Sequence, residues 1–293
     1  MTSSIATREV VCRILDWYAQ HRRDLPWRRP GTTPWGVLVS EFMLQQTPVS
    51  RALEPWAAWL TRWPTPAALA ADAPGEAVRA WGRLGYPRRA LRLHRAAVAI
   101  VERHGGEVPP DHAALLALPG VGSYTAAAIA SFAFQQRHVV LDTNVRRVLT
   151  RVSLGVAYPA PSTTAAETAL AASFLPSRPD RAARWAVASM ELGALVCTAR
   201  SPRCESCPVR SACAWNRAGR PDWDGPPRRG QTYEGTDRQC RGAVLHVLRT
   251  VGSTAEIDLL RDWPDPAQRD RAIASLLADG LVVRTGSGWL ALP

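Results

Sequence analysis

The stretch Leu118-Pro-Gly-Val-Gly-Ser-Tyr124 is the strongest indication of the fold in this sequence. Apolar segments on either side predict two helices, over residues 113–118 and 123–134, and the glycines suit a turn with left-handed backbone dihedrals. The prediction is a helix-hairpin-helix within residues 112–134. Backbone N–H groups at the start of its second helix would bind phosphate without reading bases, and they come from the turn residues Gly120, Val121 and Gly122.

A second signal follows in Val139-Val-Leu-Asp-Thr-Asn-Val145, where Asp142 directly precedes a predicted helix. The helix dipole and free N–H groups at such a position favour a carboxylate anion. An aspartate there is commonly only a helix cap, and a cap and a chemical role can coexist. Together with a phosphate-binding hairpin, Asp142 indicates chemistry on a sugar-phosphate backbone.

The charge of the chain favours a polyanionic partner. The formal net charge is +11, and residues 237–293 hold seven arginines and seven acidic residues, so the excess lies in residues 1–236. All 36 basic residues are arginine. A guanidinium stays protonated and is a poor nucleophile, so Schiff-base catalysis by a lysine is excluded.

Helix follows helix along the chain with short connections, which predicts an all-α body. We expect residues 1–30 and 137–215 to form one lobe and residues 31–136 a six-helix barrel lobe. A linker rich in Gly and Pro follows at 216–236. Residues 237–293 predict three helices, the second over 253–261, and a β-hairpin that turns at Gly286-Ser-Gly288, which together resemble a winged helix. No apolar run is long enough to span a membrane, and the start of the chain lacks an apolar signal core, so we expect a cytoplasmic protein.

Four cysteines, Cys197, Cys204, Cys207 and Cys213, lie within seventeen residues in the spacing C-x6-C-x2-C-x5-C. In a cytoplasmic protein this density favours a metal centre over disulfides. Zinc sites usually pair two short knuckles, whereas here only one pair is tight, so a [4Fe–4S] cluster is favoured over zinc. Arginines inside the loop would partly offset the negative charge of a cluster, namely Arg200, Arg203 and Arg210.

These motifs resemble the helix-hairpin-helix-Gly/Pro-Asp DNA glycosylase superfamily, and within it the MutY-type adenine DNA glycosylases more than endonuclease III. The resemblance covers about residues 10–213 and implies a two-lobed glycosylase fold with a [4Fe–4S] cluster loop. Besides the hairpin, the Asp142 segment and the cysteines, it is carried by Leu25-Pro-Trp27, Ser40-Glu-Phe-Met-Leu-Gln-Gln-Thr47, Gly82-Arg-Leu-Gly-Tyr86 and Met190-Glu-Leu-Gly193.

The resemblance also bears on the reaction. Tyr124 stands where endonuclease III-like enzymes have their Schiff-base lysine, which implies a monofunctional glycosylase without strand scission. Cleavage of an N-glycosidic bond needs a general acid and a carboxylate that stabilises the oxocarbenium-like sugar. We expect Glu41, whose sequence neighbours are apolar, to be an acid with a raised pKa that protonates adenine N7, and Asp142 to be the stabiliser. A lone glutamate in such a helix is otherwise a solvated surface charge.

Further positions are assigned by the same resemblance, because the target nucleotide must be flipped out of the duplex. Gln46 and Tyr86 match the residues that wedge and stack beside the base opposite the adenine. Tyr124 is expected to contact the substrate sugar or Asp142, and Asn144 to order the loop around Asp142. Positions that line the base pocket match Trp27, Arg28 and Glu191, with Glu191 as a possible second proton carrier. Each of these side chains would otherwise be a core, packing or helix-surface residue.

The sequence departs from the family in three places. Pro87 follows Tyr86 where tyrosine is common, and Val187 stands where glutamine is expected. Residues 237–293 are too short for the Nudix-like domain that reads 8-oxoguanine in long members. We expect residues 233–239 and this module to form a reduced clamp on DNA; the alternative is a stability module or a protein-docking surface.

Three functions compete at this point. The first is a monomeric adenine glycosylase of base excision repair that acts on duplex DNA with adenine opposite 8-oxoguanine or guanine. The second is a monofunctional thymine or uracil mismatch glycosylase, since tyrosine at 124 also fits some of those enzymes. The third is a non-catalytic iron-sulfur DNA-binding regulator, against which the presence of both Glu41 and Asp142 argues.

Overall fold

A computed structural model describes residues 2–223, 225 and 233–293 of the chain. The predicted all-α class of the body is confirmed. The helices are α1 (Thr2–His21), α2 (Pro34–Leu44), α3 (Val49–Arg62), α4 (Pro66–Ala70), α5 (Pro74–Trp81), α6 (Arg88–His104), α7 (His112–Leu116), α8 (Ser123–Phe134), α9 (Thr143–Leu149), α10 (Ala165–Ser173), α11 (Pro179–Leu195), α12 (Ala214–Arg217), α13 (Asp237–Val251) and α14 (Pro266–Ala278). Three short strands follow α13: β1 (Ser253–Thr254), β2 (Val283–Arg284) and β3 (Leu290–Ala291). Within the described residues, no helix is long and apolar enough to cross a lipid bilayer.

The chain divides into two compact units, of which the first comprises residues 1–37, 110–117 and 121–226. Its core forms where α1 and α9 pack against α11. The buried side chains of α1 recur at helical spacing, as at Val11, Ile14 and Tyr18, and they meet Trp185 and Leu192 of α11. This unit carries Asp142 and the four cysteines of the predicted metal centre.

The helix-hairpin-helix has α7 and α8 as its two helices. Asp111 caps α7 by accepting a hydrogen bond from the Ala114 amide at 2.8 Å. Gly120 in the turn has a φ of +82°, and a Cβ atom there would lie 2.7 Å from Cβ of Arg92, so only glycine fits. Helices α7 and α8 belong to the first of the two compact units. The predicted boundaries placed residues 112–134 with the barrel lobe instead. The reason is that α8 packs against α11 through a small cluster of alanines.

The second unit comprises residues 38–109, 118–120 and 227–293. Helices α4 and α5 pack on α6. Three indoles form edge-to-face pairs in its core, with ring centroids 4.6 Å apart for Trp59 and Trp63 and 5.6 Å apart for Trp59 and Trp81. This unit carries Glu41, Gln46 and Tyr86.

The C-terminal part of the second unit combines α13 and α14 with a three-stranded antiparallel sheet in the order β1-β3-β2. The predicted hairpin is present, with Val283 opposite Ala291. The predicted helix over 253–261 is wrong: Gly252, with a φ of +83°, ends α13, and Ser253 then pairs with β3 as a strand. Pairing with a distant strand overrides the local preference there. The predicted linker 216–236 lies partly outside the described residues.

The C-terminal module packs against α5 and α6 of its own unit. Nε of Arg249 donates a hydrogen bond to the Val78 carbonyl at 3.0 Å, and the Arg79 guanidinium donates to the Arg249 carbonyl. Asp279 at the end of α14 forms an ion pair with Arg88 at 3.2 Å. These contacts connect the module to the helix that begins directly after Tyr86 and Pro87.

Candidate active site and metal centre

Asp142 caps the N-terminus of α9. Its Oδ1 accepts a hydrogen bond from the Val145 amide and its Oδ2 accepts one from Nδ2 of Asn144, both at 2.6 Å. The capping role that the sequence left open is therefore present, and Asn144 orders the carboxylate. Burial raises the pKa of Asp142 above its ordinary value, while the donors from Val145 and Asn144 and the charge of Arg147 oppose that rise. Burial outweighs the helix terminus, which differs from the expectation that the anion is favoured.

Asn144 belongs to a chain of hydrogen bonds that runs from Asp142 to the cysteine loop. Its Oδ1 accepts from Nη2 of Arg147 at 2.8 Å, and Nε of Arg147 donates to the Cys197 carbonyl at 2.7 Å. Nη2 of Arg147 also donates to the Gly193 carbonyl at 2.7 Å. Gly193 is needed for this close approach, because a Cβ atom there would lie 2.6 Å from Cβ of Asn144.

Glu191 of α11 is fully buried and ion-paired. Its carboxylate accepts two hydrogen bonds from the Arg23 guanidinium and one from Nη1 of Arg28, each at 2.8 Å, and one from the Arg23 amide at 3.0 Å. Burial alone would raise the pKa of Glu191, but the hydrogen bonds from Arg23 and the charge of Arg28 outweigh it and lower the pKa to about 2. A carboxylate with such a pKa has no proton to deliver at neutral pH, which argues against the expected second proton carrier. Trp27 is buried in a short 3-10 helix, Pro26–Arg28, which also carries Arg28.

Glu41 lies on the last turns of α2 and is 5% exposed. Its sequence neighbours Phe42 and Met43 are fully buried, so this part of α2 lies in the interior of its unit and not at the surface. A solvated surface charge, the alternative left open by the sequence, does not match this burial.

Gln46 and Tyr86 lie on two loops of the second unit, after α2 and before α6. Both are exposed, Tyr86 to 49%, and both have positive φ, +57° for Gln46 and +46° for Tyr86. Such values are uncommon for residues with a side chain, and they mark loops held by their surroundings.

Tyr124 lies in the first turn of α8, directly after the hairpin. Its ring packs against the alanine cluster formed by Ala127, Ala128 and Ala186. Gly122 is exposed and forms the N-cap of α8, which has no side-chain cap. The start of α8 thus has the geometry that a phosphate requires, with N–H groups and without a competing side chain.

The four cysteines line one cavity of the first unit. Burial and, to a smaller extent, the neighbouring Cys197, Cys213 and Cys204 together raise the pKa of Cys207 to about 12. Four thiolates can share such a cavity only when a cation compensates them, and thiolate sulfur is the donor that iron-sulfur clusters use. Among the described residues, no three His, Cys, Asp or Glu side chains are arranged to hold a metal ion. The rest of the wall is mostly apolar and includes Val148, Val152, Leu192, Val196, Val209 and Trp215.

Arg151 and Arg210 both line this cavity, and the sequence did not single out Arg151. It is 1% exposed, and its Nη1 lies 3.4 Å from Sγ of Cys197 and 2.7 Å from the Thr198 carbonyl oxygen. Its guanidinium also lies 4.4 Å from the ring centroid of Trp215. Of the three arginines predicted to offset the charge of a cluster, Arg210 lines the cavity and pairs with Glu205, Arg203 donates to the Leu195 carbonyl and Arg200 is exposed.

Comparisons with known proteins match both parts of this arrangement. The family described as HhH-GPD superfamily base excision DNA repair protein matches residues 39–172, and the iron-sulfur binding domain of endonuclease III matches residues 197–213. The adenine DNA glycosylase of Mycobacterium tuberculosis is 54% identical over 284 residues, which cover 96% of this chain and 92% of that protein. The chain belongs to the MutY-type adenine DNA glycosylase family.

Other members and solved structures extend the comparison. The human adenine DNA glycosylase is 42% identical over 208 residues, 68% of this chain and 38% of the human protein. The solved structure of a thermostable thymine-DNA glycosylase superposes with a TM-score of 0.67 at 26% identity, and covers 74% of this chain and all of that chain. The chain is thus a DNA glycosylase of the base excision repair superfamily with an iron-sulfur binding segment.

Several functional side chains were not found by sequence reasoning. Three arginines contact residues of the predicted site: Arg23 contacts the Glu191 carboxylate, Arg147 the Asn144 side-chain amide and Arg151 the Cys197 thiol. Nothing in the sequence distinguishes them from the other arginines, of which the chain has 36 in all. One available signal was the spacing of Arg147 and Arg151, four residues apart on the helical segment that starts after Asp142.

Proposed function

We propose that this protein is a monofunctional adenine DNA glycosylase that hydrolyses the N-glycosidic bond of adenine opposite 8-oxoguanine or guanine in duplex DNA. The observation that carries the proposal is the 54% identity to a curated adenine DNA glycosylase across 96% of this chain. The capped, half-buried carboxylate of Asp142 and the buried Glu41 supply the two groups that the reaction needs.

In this proposal Glu41 is the general acid and delivers its proton to adenine N7. The bond between sugar C1′ and adenine N9 then breaks, the electron pair leaves with the base, and positive charge develops on the sugar. The Asp142 carboxylate stabilises that charge, and its alignment by the Val145 amide and by Asn144 limits its motion. Water adds to C1′ and gives up a proton, so the products are free adenine and an abasic site.

Strand scission by β-elimination is not expected. A lyase step through a Schiff base needs a neutral amine, and the chain has no lysine. Tyr124 stands at the position of the lysine and packs on the alanine cluster beside the hairpin. The abasic site should therefore leave the enzyme with an intact strand.

The proposed partner is duplex DNA, bound by a monomer in the cytoplasm. The net charge of +11 suits a polyanion. The hairpin residues Gly120, Val121 and Gly122 would hold a phosphate at the start of α8, and Gln46 and Tyr86 would insert beside the base opposite the flipped adenine.

The proposed cofactor is a [4Fe–4S] cluster, held by Cys197, Cys204, Cys207 and Cys213. When bound, the cluster supplies four iron-thiolate bonds that tie residues 197–213 into one loop. Arg151 beside Cys197 would offset part of its negative charge. The likeness to endonuclease III in this segment supports the cluster type.

The main alternative to this proposal is a thymine mismatch glycosylase, and the likeness to the thermostable thymine-DNA glycosylase favours that alternative. A measurement of which base is released distinguishes the two functions. Single-turnover release is measured on duplexes with adenine opposite 8-oxoguanine, adenine opposite guanine and thymine opposite guanine, with and without alkali. We expect adenine release, with strand breaks only after alkali. Release of thymine, or breaks without alkali, would contradict the proposal, and DNA binding without base release would favour a non-catalytic regulator.

A further inference from the structure

The two exposed loops that carry Gln46 and Tyr86 share one feature, a backbone that is unfavourable in isolation. Each residue has a positive φ although neither is glycine. A left-handed conformation is unfavourable for residues that carry a side chain, so the surroundings must fix both loops. Exposed side chains on strained backbone are typical of positions that contact a ligand.

One buried side chain, Arg89 of α6, contacts both loops. It is 4% exposed. Its Nη1 donates to the carbonyls of Phe42, Met43 and Gln45, at the end of α2 and the start of the Gln46 loop. Its Nη2 donates to Oγ1 of Thr47 at 2.9 Å, to the Gly85 carbonyl at 3.0 Å and to the Leu84 carbonyl at 3.4 Å, directly before Tyr86.

The Arg89 guanidinium is a buried cation that is solvated by backbone carbonyls. No ion pair joins it to a carboxylate among the described residues. Burial lowers the pKa of Arg89 to about 10, so the side chain stays charged at neutral pH. The Cζ atom of Arg89 also lies 5.2 Å from the ring centroid of Trp81 and 5.6 Å from that of Tyr86.

A lysine could not reproduce these contacts. The guanidinium presents donors in a fixed fork, whereas an ammonium is a compact group with three rotatable donors. Thr47 adds a direct link between the loops, because its hydroxyl accepts from Arg89 and donates to the Leu84 carbonyl at 3.3 Å. The two loops are therefore joined by the guanidinium group of Arg89 and by the hydroxyl group of Thr47.

We propose that Arg89 is a positioning residue that holds Gln46 and Tyr86 as one preorganised wedge for the DNA around the mispair. This inference rests on the proposed function, since it takes Gln46 and Tyr86 as the inserted residues. Rigid presentation would reduce the ordering needed when the wedge enters the duplex and would make nucleotide flipping more favourable.

The test compares Arg89→Lys and the milder Thr47→Val with matched controls in the full-length protein. Arg103→Lys changes an exposed arginine of the same helix, and Thr61→Val removes an exposed hydroxyl that donates only to the Ala57 carbonyl. The probe is a duplex that carries 2′-fluoro-adenosine, which resists hydrolysis, opposite 8-oxoguanine, with 2-aminopurine beside it. Fluorescence of 2-aminopurine rises when the neighbouring nucleotide leaves the stack, and anisotropy gives the duplex affinity.

We expect the fluorescence rise at saturation to fall about tenfold for Arg89→Lys and about threefold for Thr47→Val, with a parallel loss of single-turnover adenine release. Duplex affinity should change less than about threefold, because phosphate contacts dominate it. Both controls should behave as wild type. If Arg89→Lys does not fold, Thr47→Val decides the outcome.

Two results separate failure of this inference from failure of the proposed function. Folded variants that melt at lower temperature but keep the wild-type fluorescence rise and release rate would show that Arg89 only stabilises the fold, and would overturn its positioning role. A wild-type protein that neither raises the fluorescence nor releases adenine would overturn the proposed function, and this inference with it.

Discussion

Glu191 and Asp142 are carboxylates of the same unit that the fold treats in opposite ways. Glu191 is fully buried and accepts four hydrogen bonds from Arg23 and Arg28, which lower its pKa to about 2. Asp142 accepts hydrogen bonds from an amide and from Asn144 rather than from a cation, and its pKa is raised by burial.

The difference shows that the partners of a buried carboxylate determine whether it stabilises the fold or takes part in the reaction. Two guanidinium groups neutralise Glu191, so its charge has little left to offer a substrate. Arg147, whose charge acts on Asp142, donates a hydrogen bond to Asn144 rather than to the aspartate, so most of the aspartate charge remains available to a developing positive sugar. We therefore expect Glu191 to hold α11 to the N-terminal segment and Asp142 to serve the reaction.

The largest expected effect belongs to Asp142→Asn. Asparagine retains a cap for the Val145 amide but removes the negative charge. Single-turnover adenine release should fall by roughly three orders of magnitude, a size typical of lost electrostatic or acid-base groups. The free energy of unfolding should stay within about 1 kcal/mol of wild type, because the removed anion is disfavoured by burial. A variant with near wild-type release would show that Asp142 is only a cap.

Glu191→Gln should affect stability instead. The substitution leaves two arginines facing a neutral amide, and removal of one partner of a buried ion pair costs about 3–5 kcal/mol. Urea unfolding measures this loss. Glu102→Gln, at an exposed position of α6, is the matched control and should change the unfolding free energy by less than about 0.5 kcal/mol. Equal unfolding free energies for both variants would contradict the structural role of Glu191.

Acid should reduce the amount by which Glu191 raises the unfolding free energy of the wild-type protein. Its pKa is about 2 in the folded protein against an ordinary value of 4.5, so the stabilisation by Glu191 is present above pH 4.5 and is lost as the pH falls towards 2. The shift corresponds to about 3 kcal/mol. The gap in unfolding free energy between wild type and Glu191→Gln should therefore narrow between pH 6 and pH 3. Asp142 has a raised pKa, so its effect on the unfolding free energy changes with pH in the opposite direction. A gap between wild type and Glu191→Gln that widens in acid would contradict the stabilising role of the Glu191 carboxylate.

Asn144→Ala should have the smallest effect of this series. It removes the donor to Oδ2 of Asp142 and the acceptor for Arg147. A hydrogen bond to a charged group is worth about 1.5–3 kcal/mol, so we expect adenine release to fall by roughly ten- to a hundredfold. The Asp142 pKa should rise further, which would shift the acid limb of the release rate to higher pH. An unchanged limb would indicate that Asn144 serves only its own helix.

The parts of the site that were predictable from the sequence are those written into a local pattern. Asp142 before a helix, the cysteine spacing and the glycines of the hairpin each follow from a few neighbouring residues. The resemblance added Glu41 within its motif, and the structure places that residue in the interior of its unit.

The parts that escaped prediction depend on contacts between distant residues. Arg23 lies 168 positions from Glu191 in the chain, and no local pattern marks it among 36 arginines. The helix predicted over 253–261 fails for the same reason, because β1 exists only through its pairing with β3. Tertiary partners also reverse the local expectation for Asp142, where burial outweighs the helix terminus.

The most direct test of this division of roles is single-turnover adenine release by folded Asp142→Asn and folded Glu191→Gln, measured side by side on adenine opposite 8-oxoguanine at low temperature. We predict that Asp142→Asn binds the duplex and releases almost no adenine. Folded Glu191→Gln should release adenine at a rate within about tenfold of wild type. Substantial release by Asp142→Asn, or none by folded Glu191→Gln, would contradict the assignment of the two carboxylates.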